Sequence, residues 1–168
     1  VMSMVVPEAI ALLSDDIKAR LRITHQARGD DLETAKALYD RAGVHVDIRA
    51  FFDDLPMRMA NAHLVIGRAG ASTIAELAVI GRPSILVPLP GSLDQDQAAN
   101  AESLAKRGAA LVMKQSEFTA HALAHRCPRK RKADYGEGPP CHSIARLAGP
   151  TQLALASVSH GRPPGTRR

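Results

Sequence analysis

The sequence has little cysteine and few aromatic residues, and it has no tryptophan. Both cysteines, Cys127 and Cys141, lie in the last 48 residues, so residues 1–120 contain no disulfide framework. The absence of such a framework favours a reducing compartment. Long apolar runs are also absent, because none approaches the roughly 20 residues that a membrane-spanning helix needs. We therefore expect a protein that is soluble or peripheral to a membrane.

Positive charge is concentrated at one end of the chain. Residues 1–120 carry 13 Lys and Arg against 15 Asp and Glu, whereas residues 121–168 carry 9 against 2. The last segment therefore accounts for the net charge of +5. Two interpretations are open for it: a solvated basic tail that binds nucleic acid or acidic lipid, or an out-of-frame reading of GC-rich coding DNA. We favour the second, and nucleic acid is disfavoured because Tyr135 is the segment's only aromatic residue.

Apolar periodicity between residues 5 and 118 alternates between helical and strand-like stretches, which is typical of α/β proteins. The near-continuous apolar strands HLVIG and SILVP indicate a buried parallel sheet. We therefore predict one α/β domain over residues 1–120 and a low-order tail over residues 121–168. Helices are predicted at 31–42, 72–80 and 95–107, residues 7–13 are predicted to be part of a helix, and a short helix capped by Asp53 and Asp54 is predicted to run through Asn61. Strands are predicted at 20–26, 44–50, 63–67, 84–88 and 110–114.

The predicted order of elements begins with a helix, although a doubly wound domain normally begins with its central strand and phosphate-binding turn. We therefore expect Val1 to be an internal position of a longer protein. Loss of the central strand would leave the neighbouring strand edges unpaired, so poor solubility is also expected.

The stretch RAGASTIAE leaves a predicted strand and begins a helix. A helix start presents unpaired N–H groups with a partial positive charge, and Gly70 and Ala71 leave room for an anion. Ser72 or Thr73 would either cap the helix or donate its hydroxyl to a phosphate. Glu76 would either complete a capping box with Thr73 or accept hydrogen bonds from a ribose. The motif predicts a phosphate-binding turn with a nucleotide as its ligand.

The loop PLPGSLDQDQAAN follows the next strand. Loops at the carboxyl ends of adjacent parallel strands line one crevice, so Asp94, Asp96, Gln97 and Asn100 should face the same ligand as the helix start. Carboxylates and amides suit the hydroxyls of a sugar. The alternative is that Asp94 caps the next helix and the other side chains are solvated.

The stretch AFFDD ends an earlier strand with two aromatic residues. Phe52 is either a core residue or part of a turn that offers backbone groups, and a ring, to a base. Asp53 and Asp54 are interpreted as helix caps. No metal or cofactor is predicted, because a helix N-terminus can balance the charge of a diphosphate without a cation.

These three stretches together resemble the C-terminal domain of the family 28 glycosyltransferases, the N-acetylglucosaminyltransferases that form lipid II in bacterial peptidoglycan synthesis. The matching segments are FFDDL, LVIGRAGASTIAELAVIGRPSILVPLP and DQDQAANA, and the resemblance covers about residues 1–120. It implies a Rossmann-like parallel sheet, the C-terminal half of a GT-B enzyme, truncated at its first strand and followed by an irregular tail. That half of the enzyme holds the donor, UDP-GlcNAc.

The resemblance also implies where the donor binds. Uracil would lie against the backbone around Phe52, the diphosphate on the turn and helix start, and the ribose on Glu76. The GlcNAc hydroxyls would meet Asp96 and Gln97, although Asp96 stands where the family usually has Gln or His. The implied donor-binding residues are Phe52, Gly70, Ala71, Ser72, Thr73, Glu76, Asp96, Gln97 and Asn100.

Other parts of the family's pattern have no counterpart in this sequence. They are the Gly-rich loop after the first strand, the C-terminal helix, and the N-terminal domain with its lipid I surface and candidate general base. No catalytic residue is therefore assigned, and the chain alone is expected to be inactive. The resemblance implies UDP-GlcNAc and lipid I as partners, at the cytoplasmic face of the inner membrane.

Two other functions remain open. One is a related GT-B glycosyltransferase with another sugar or acceptor, and the other is a non-catalytic nucleotide- or nucleic-acid-binding module that uses the basic tail. A dinucleotide oxidoreductase is disfavoured, because the turn lacks the GxGxxG pattern.

Overall fold

A computed structural model describes residues 1–91, 96–125 and 151–156, which form a parallel sheet with helices on both faces. In the described residues no helix has the length and apolar composition needed to cross a membrane. The helices are α1 (Met2–Ala11), α2 (Asp15–Arg20), α3 (Asp30–Ala42), α4 (Leu55–Asn61), α5 (Ala71–Ile80), α6 (Asp96–Ala105) and α7 (Ala120–His125). The strands are β1 (Leu21–Gln26), β2 (Val46–Arg49), β3 (Leu64–Gly67), β4 (Ser84–Leu86), β5 (Ala110–Val112) and β6 (Thr151–Ala156).

The six described strands form one sheet in the order β2-β1-β6-β3-β4-β5, and every described pairing is parallel. The predicted Rossmann-like α/β architecture is therefore confirmed. Parallel strands need crossover connections, and helices supply those connections here, so all the strands end at the same edge of the sheet. That edge carries the loops that the sequence analysis selected.

Alternate residues of the strands face two separate apolar layers, as the pleat of a strand requires. On one side Leu64, Ile66 and Leu155 join a cluster with α1, α3 and α7. On the other side Val65 and Ala154 join a cluster with α4, α5 and α6. Because both faces are covered around β3, its four residues are all buried.

Glycine ends two of the predicted helices where the sequence analysis placed their stops. Gly43 after α3 and Gly81 after α5 have φ angles of 69° and 63°, in the left-handed region that favours glycine. Most of the predicted elements lie within a few residues of their observed bounds. The helices α2 and α7 and the strand β6 were not predicted.

Strand β6 occupies the centre of the sheet, between β1 and β3. The expectation of unpaired central edges is therefore wrong for this structure. The segment TQLALA suits the position because Leu153 and Leu155 face one layer while the small Ala154 faces the other. The facing edges of β1 and β3 present backbone N–H and C=O groups, which pair with the backbone of β6. The rest of the predicted tail, residues 126–150 and 157–168, lies outside the described residues.

His25, near the end of β1, is fully buried against Tyr39 of α3. Its Nδ1 shares a hydrogen bond of 3.1 Å with the Tyr39 hydroxyl, and burial lowers the pKa of His25 to about 4. The folded state therefore binds fewer protons than the unfolded state between pH 6.5 and 4. Protonation of the unfolded chain over that window favours unfolding.

We predict that His25 lowers the free energy of unfolding by about 3 kcal/mol as the pH drops from 6.5 to 4. The decrease is about 1.4 kcal/mol per pH unit. Urea denaturation of the chain and of His25→Gln at pH 7, 5.5 and 4.5 measures the contribution. The variant should lose less stability than the parent chain on acidification. His45→Gln, at an exposed histidine, is the control and should keep the parent's pH dependence. Equal pH dependence in all three chains would contradict the assignment to His25.

Candidate ligand-binding site

The loops after β3 and β4 lie together at the carboxyl edge of the sheet, as the sequence analysis expected. Arg68, directly after β3, donates from a guanidinium nitrogen to the carbonyl oxygens of Val87 at 3.1 Å and Pro88 at 3.5 Å. The second turn of α6 reaches the same place, where Asn100 donates to the Ala69 carbonyl at 3.4 Å. These contacts connect the start of α5, the loop after β4 and the amino-terminal part of α6 at one place on the sheet edge.

Helix α5 begins without a side-chain cap. Its N-cap residue is Gly70, which has no side chain, and no side-chain hydrogen bond caps the helix. The first intrahelical bond joins the Ile74 N–H to the Gly70 carbonyl at 3.0 Å. The N–H groups of Ala71, Ser72 and Thr73 precede that bond and have no acceptor among the described residues. The start of α5 therefore offers unpaired donors and the positive end of a helix dipole to an anion.

The capping interpretations of the sequence motif are wrong in this structure. Ser72 and Thr73 lie inside α5, at its second and third positions, so neither is the N-cap residue. The capping box proposed between Thr73 and Glu76 therefore has no cap residue. Ser72 is exposed, whereas Thr73 is 1% exposed and its hydroxyl has no hydrogen-bond partner in the described part of the chain. The Ser72 hydroxyl is therefore accessible to a ligand, whereas the Thr73 hydroxyl is buried.

Arg68 supplies a cation next to this helix start, and the sequence analysis assigned it no role. Burial lowers the pKa of its guanidinium, and no described carboxylate forms an ion pair with it. A half-buried cation that is bonded to neutral carbonyls alone is favourably placed for an anionic ligand. Its position was a usable signal, because it is the arginine that directly follows a buried strand and precedes a helix start.

The remaining predicted sugar contacts lie on α5 and α6. Glu76 is partly exposed and has no hydrogen bond or ion pair to a described residue. Asp96 is exposed at the first position of α6. Gln97 accepts a hydrogen bond from the Leu89 N–H at 3.0 Å, which leaves its amide nitrogen free of described partners. Asp94 lies outside the described residues. Gln97 therefore holds the loop after β4, while Asn100 contacts the loop after β3.

Phe52 is a core residue, 4% exposed, in the layer formed by α4, α5 and α6. The guanidinium carbons of Arg58 and Arg49 lie 4.4 Å and 5.2 Å from the centre of its ring. Its ring is therefore occupied, and only the backbone of this turn remains for a base. The exposed aromatic side chain of the pair is Phe51, at 58%.

Arg58 also forms ion pairs with two carboxylates near this turn. It donates to Asp54 at 2.7 Å and to Asp47 at 2.8 Å. Burial alone would raise the pKa of Asp47, but hydrogen bonds from Arg49 and Arg58 lower it below its usual value. Asp54 is the N-cap residue of α4, as predicted, yet its side chain pairs with Arg58 and does not cap the helix. The structure thus places these carboxylates in a surface network with arginines.

Within residues 1–91, 96–125 and 151–156, no group of three or more His, Cys, Asp or Glu is arranged to hold a metal ion. What the described site offers is a helix start with backbone N–H groups, the cation of Arg68, the exposed hydroxyl of Ser72 and the carboxylate of Glu76. Such a set binds a phosphate group and adjoining hydroxyls.

Comparison with known proteins assigns the chain to a family. The model of the glycosyltransferase family 28 C-terminal domain matches residues 1–131, more than three quarters of the chain. The chain belongs to this family. The expected resemblance is therefore confirmed, and the family is one of hexosyltransferases.

Named relatives agree with the family assignment. A protein of Methylobacterium nodulans, called UDP-N-acetylglucosamine--N-acetylmuramyl-(pentapeptide) pyrophosphoryl-undecaprenol N-acetylglucosamine transferase, is 61% identical over 125 residues, which cover 74% of this chain and 34% of the relative. A Brucella canis protein of the same name is 44% identical over 165 residues, covering 92% of this chain and 43% of the relative. The chain thus spans about a third of the length of the first of these family 28 relatives and less than half of the second.

A solved structure shows the same architecture. The crystal structure of Acinetobacter baumannii MurG matches this family 28 chain with a TM-score of 0.65 and 33% identity. The match covers 73% of this chain and 36% of the MurG chain.

Proposed function

We propose that this chain forms the donor-nucleotide half of an N-acetylglucosaminyltransferase and that it binds UDP-GlcNAc at the carboxyl edge of its sheet. The single observation that carries this proposal is the uncapped start of α5 at Gly70. A diphosphate there accepts hydrogen bonds from the N–H groups of Ala71, Ser72 and Thr73, and the helix dipole and Arg68 balance its charge. The names of the relatives, which specify UDP-N-acetylglucosamine, support the choice of ligand.

With the diphosphate at the start of α5, the ribose, the sugar and the base of UDP-GlcNAc can be assigned to neighbouring residues. Glu76 lies about one and a half turns into α5, on a side chain that no described residue uses, and we assign it to the ribose hydroxyls. Asp96, Gln97 and Asn100, on the first two turns of α6, are assigned to the GlcNAc sugar. The turn around Phe52 offers its backbone to the base, because the ring itself is buried.

The reaction divides between this chain and the rest of a longer protein. An inverting transfer needs a base for the acceptor hydroxyl and stabilisation of the departing UDP. The N–H groups at the start of α5 and the Arg68 guanidinium would stabilise the departing UDP. The base and the acceptor surface would belong to a domain outside this sequence. The acceptor named for the relatives carries undecaprenol, a long apolar chain that partitions into a bilayer. We therefore place the complete protein at the cytoplasmic face of the inner membrane, with lipid I as its acceptor.

Calorimetric titration of the chain with a panel of nucleotide sugars tests the proposal. UDP-GlcNAc should bind with 1:1 stoichiometry and more tightly than UDP-GalNAc, UDP-glucose or GDP-mannose, and free UDP should compete with it. The chain alone should transfer no GlcNAc to lipid I. Preference for another sugar would favour a related glycosyltransferase, and equal binding of the uridine and guanosine compounds would contradict the proposed base contact.

Glu76→Ala should weaken UDP-GlcNAc binding by about 1–3 kcal/mol, a 5- to 150-fold rise in Kd, because two ribose hydroxyls lose a charged acceptor. The same titration measures it, with circular dichroism to confirm folding. Glu102→Ala, at an exposed glutamate further along α6, is the control and should bind as the parent does. An unchanged affinity in Glu76→Ala would remove this residue from the site.

A further inference from the structure

Helix α7 presents two histidines on one exposed face. His121 and His125 are one helical turn apart, and their rings lie 6.4 Å apart with an interplanar angle of 26°. Between them, Leu123 and Ala124 are buried in the layer formed with α1 and α3. Those buried residues fix the helix against the domain, so the histidine face is held outward.

Both rings are free to take a ligand. No hydrogen bond or ion pair to a described residue involves His121 or His125, and both side chains are exposed. One ion shared by two imidazoles needs ring nitrogens about 3 Å apart, since each metal–nitrogen bond is about 2.1 Å. Rotation of exposed side chains brings the rings to that separation without loss of core packing.

We propose that His121 and His125 together chelate one divalent transition-metal ion. Imidazole suits late first-row metals, and the general order of affinity places Cu²⁺ and Ni²⁺ above the earlier metals. Two protein ligands leave the other coordination positions to water, so this is an open surface site with modest affinity. It lies on the opposite layer from α5 and α6, which makes it independent of the proposed donor site.

Titration of the whole chain with NiCl₂ at pH 7.5 tests the pair. Cys127 and Cys141 are first alkylated, because free thiolates bind the same metals. We expect one Ni²⁺ to bind, with at least a tenfold loss of affinity in His121→Asn. The same loss is expected in His125→Asn and in the double variant, because a single remaining imidazole cannot chelate. His45→Asn, at an exposed histidine on the amino side of β2, should bind Ni²⁺ as the parent does.

The pattern among the variants decides the outcome. Chelation predicts that either single substitution removes as much affinity as both together, whereas independent histidines predict additive losses. Additive losses, unchanged affinity in either single variant, or no binding at 1 mM Ni²⁺ would overturn the proposal. Circular dichroism should show every variant folded, since both positions are exposed.

Discussion

Leu155→Asp should unfold the chain. Leu155 is fully buried at the centre of the sheet, where β6 pairs with β1 and β3. An aspartate there loses the leucine's apolar burial and places an unpaired carboxylate in the apolar layer that the sheet forms with α1, α3 and α7. The combined cost is at least about 4 kcal/mol, a large fraction of the 5–15 kcal/mol that stabilises a typical domain. Urea denaturation followed by far-UV circular dichroism measures the change.

The same strand supplies a control for this prediction. Gln152 is exposed. Its backbone N–H donates to His63 Nδ1, and its carbonyl accepts from the His63 N–H. Gln152→Asp therefore makes a similar chemical change outside the core and should shift the free energy of unfolding by less than about 1 kcal/mol. If Leu155→Asp and Gln152→Asp denature at the same urea concentration as the parent, β6 does not occupy the centre of the sheet.

Arg68→Gln should weaken UDP-GlcNAc binding by about 10- to 100-fold. The substitution removes the half-buried cation beside the α5 start, and a hydrogen bond to a charged group is worth about 1.5–3 kcal/mol. The substitution also removes the hydrogen bonds from Arg68 to the Val87 and Pro88 carbonyls. Calorimetric titration measures the affinity, and the thermal midpoint of the free variant reports on folding.

Two further variants separate charge from position in this test. Arg82→Gln removes an exposed arginine beyond the carboxyl end of α5, and UDP-GlcNAc should bind this variant as it binds the parent. Arg68→Lys keeps the charge and loses the planar fork, so its affinity should fall between those of the parent and Arg68→Gln. Equal losses in Arg68→Gln and Arg82→Gln would indicate a general effect of net charge, and no role for Arg68 in the site.

The sequence predicted most of the domain because its periodicity is strong and local. The buried strands β3 and β4 are apolar on both faces, and left-handed glycines end the helices that precede β2 and β4. Strand β6 was missed for a physical reason. Its pairing depends on two edges contributed by residues more than 80 positions earlier, and no local pattern specifies that neighbour. Gly149 and Pro150 also made the segment look broken.

The grouping of the candidate residues at one sheet edge was predicted from the sequence, and their role in binding a ligand stays a prediction. Its position followed from topology, because loops at the carboxyl ends of adjacent parallel strands must meet. The exact helix start did not follow, because a glycine N-cap and a serine N-cap fit the same short motif, and the structure selects Gly70. The burial of Phe52 and the half-buried state of Arg68 depend on packing that no spacing in the sequence reveals.

The out-of-frame interpretation of residues 121–168 stays a prediction. Within that segment the structure describes a helix through His125 and the strand Thr151–Ala156. The match with the Brucella canis relative, which covers 92% of the chain, also extends into this segment. Sequencing the locus in all three frames, upstream of Val1 and downstream of Phe118, tests the interpretation directly.

The central claim is that a diphosphate binds at the uncapped start of α5, and amide NMR of the isotope-labelled chain tests it most directly. Titration with UDP-GlcNAc should shift the amide resonances of Ala71, Ser72 and Thr73 more than any others, while resonances from α3 on the opposite layer stay in place. Free UDP should shift the same three, and uridine, which lacks phosphate, should not. Saturating UDP-GlcNAc that leaves these three resonances unmoved would contradict the account.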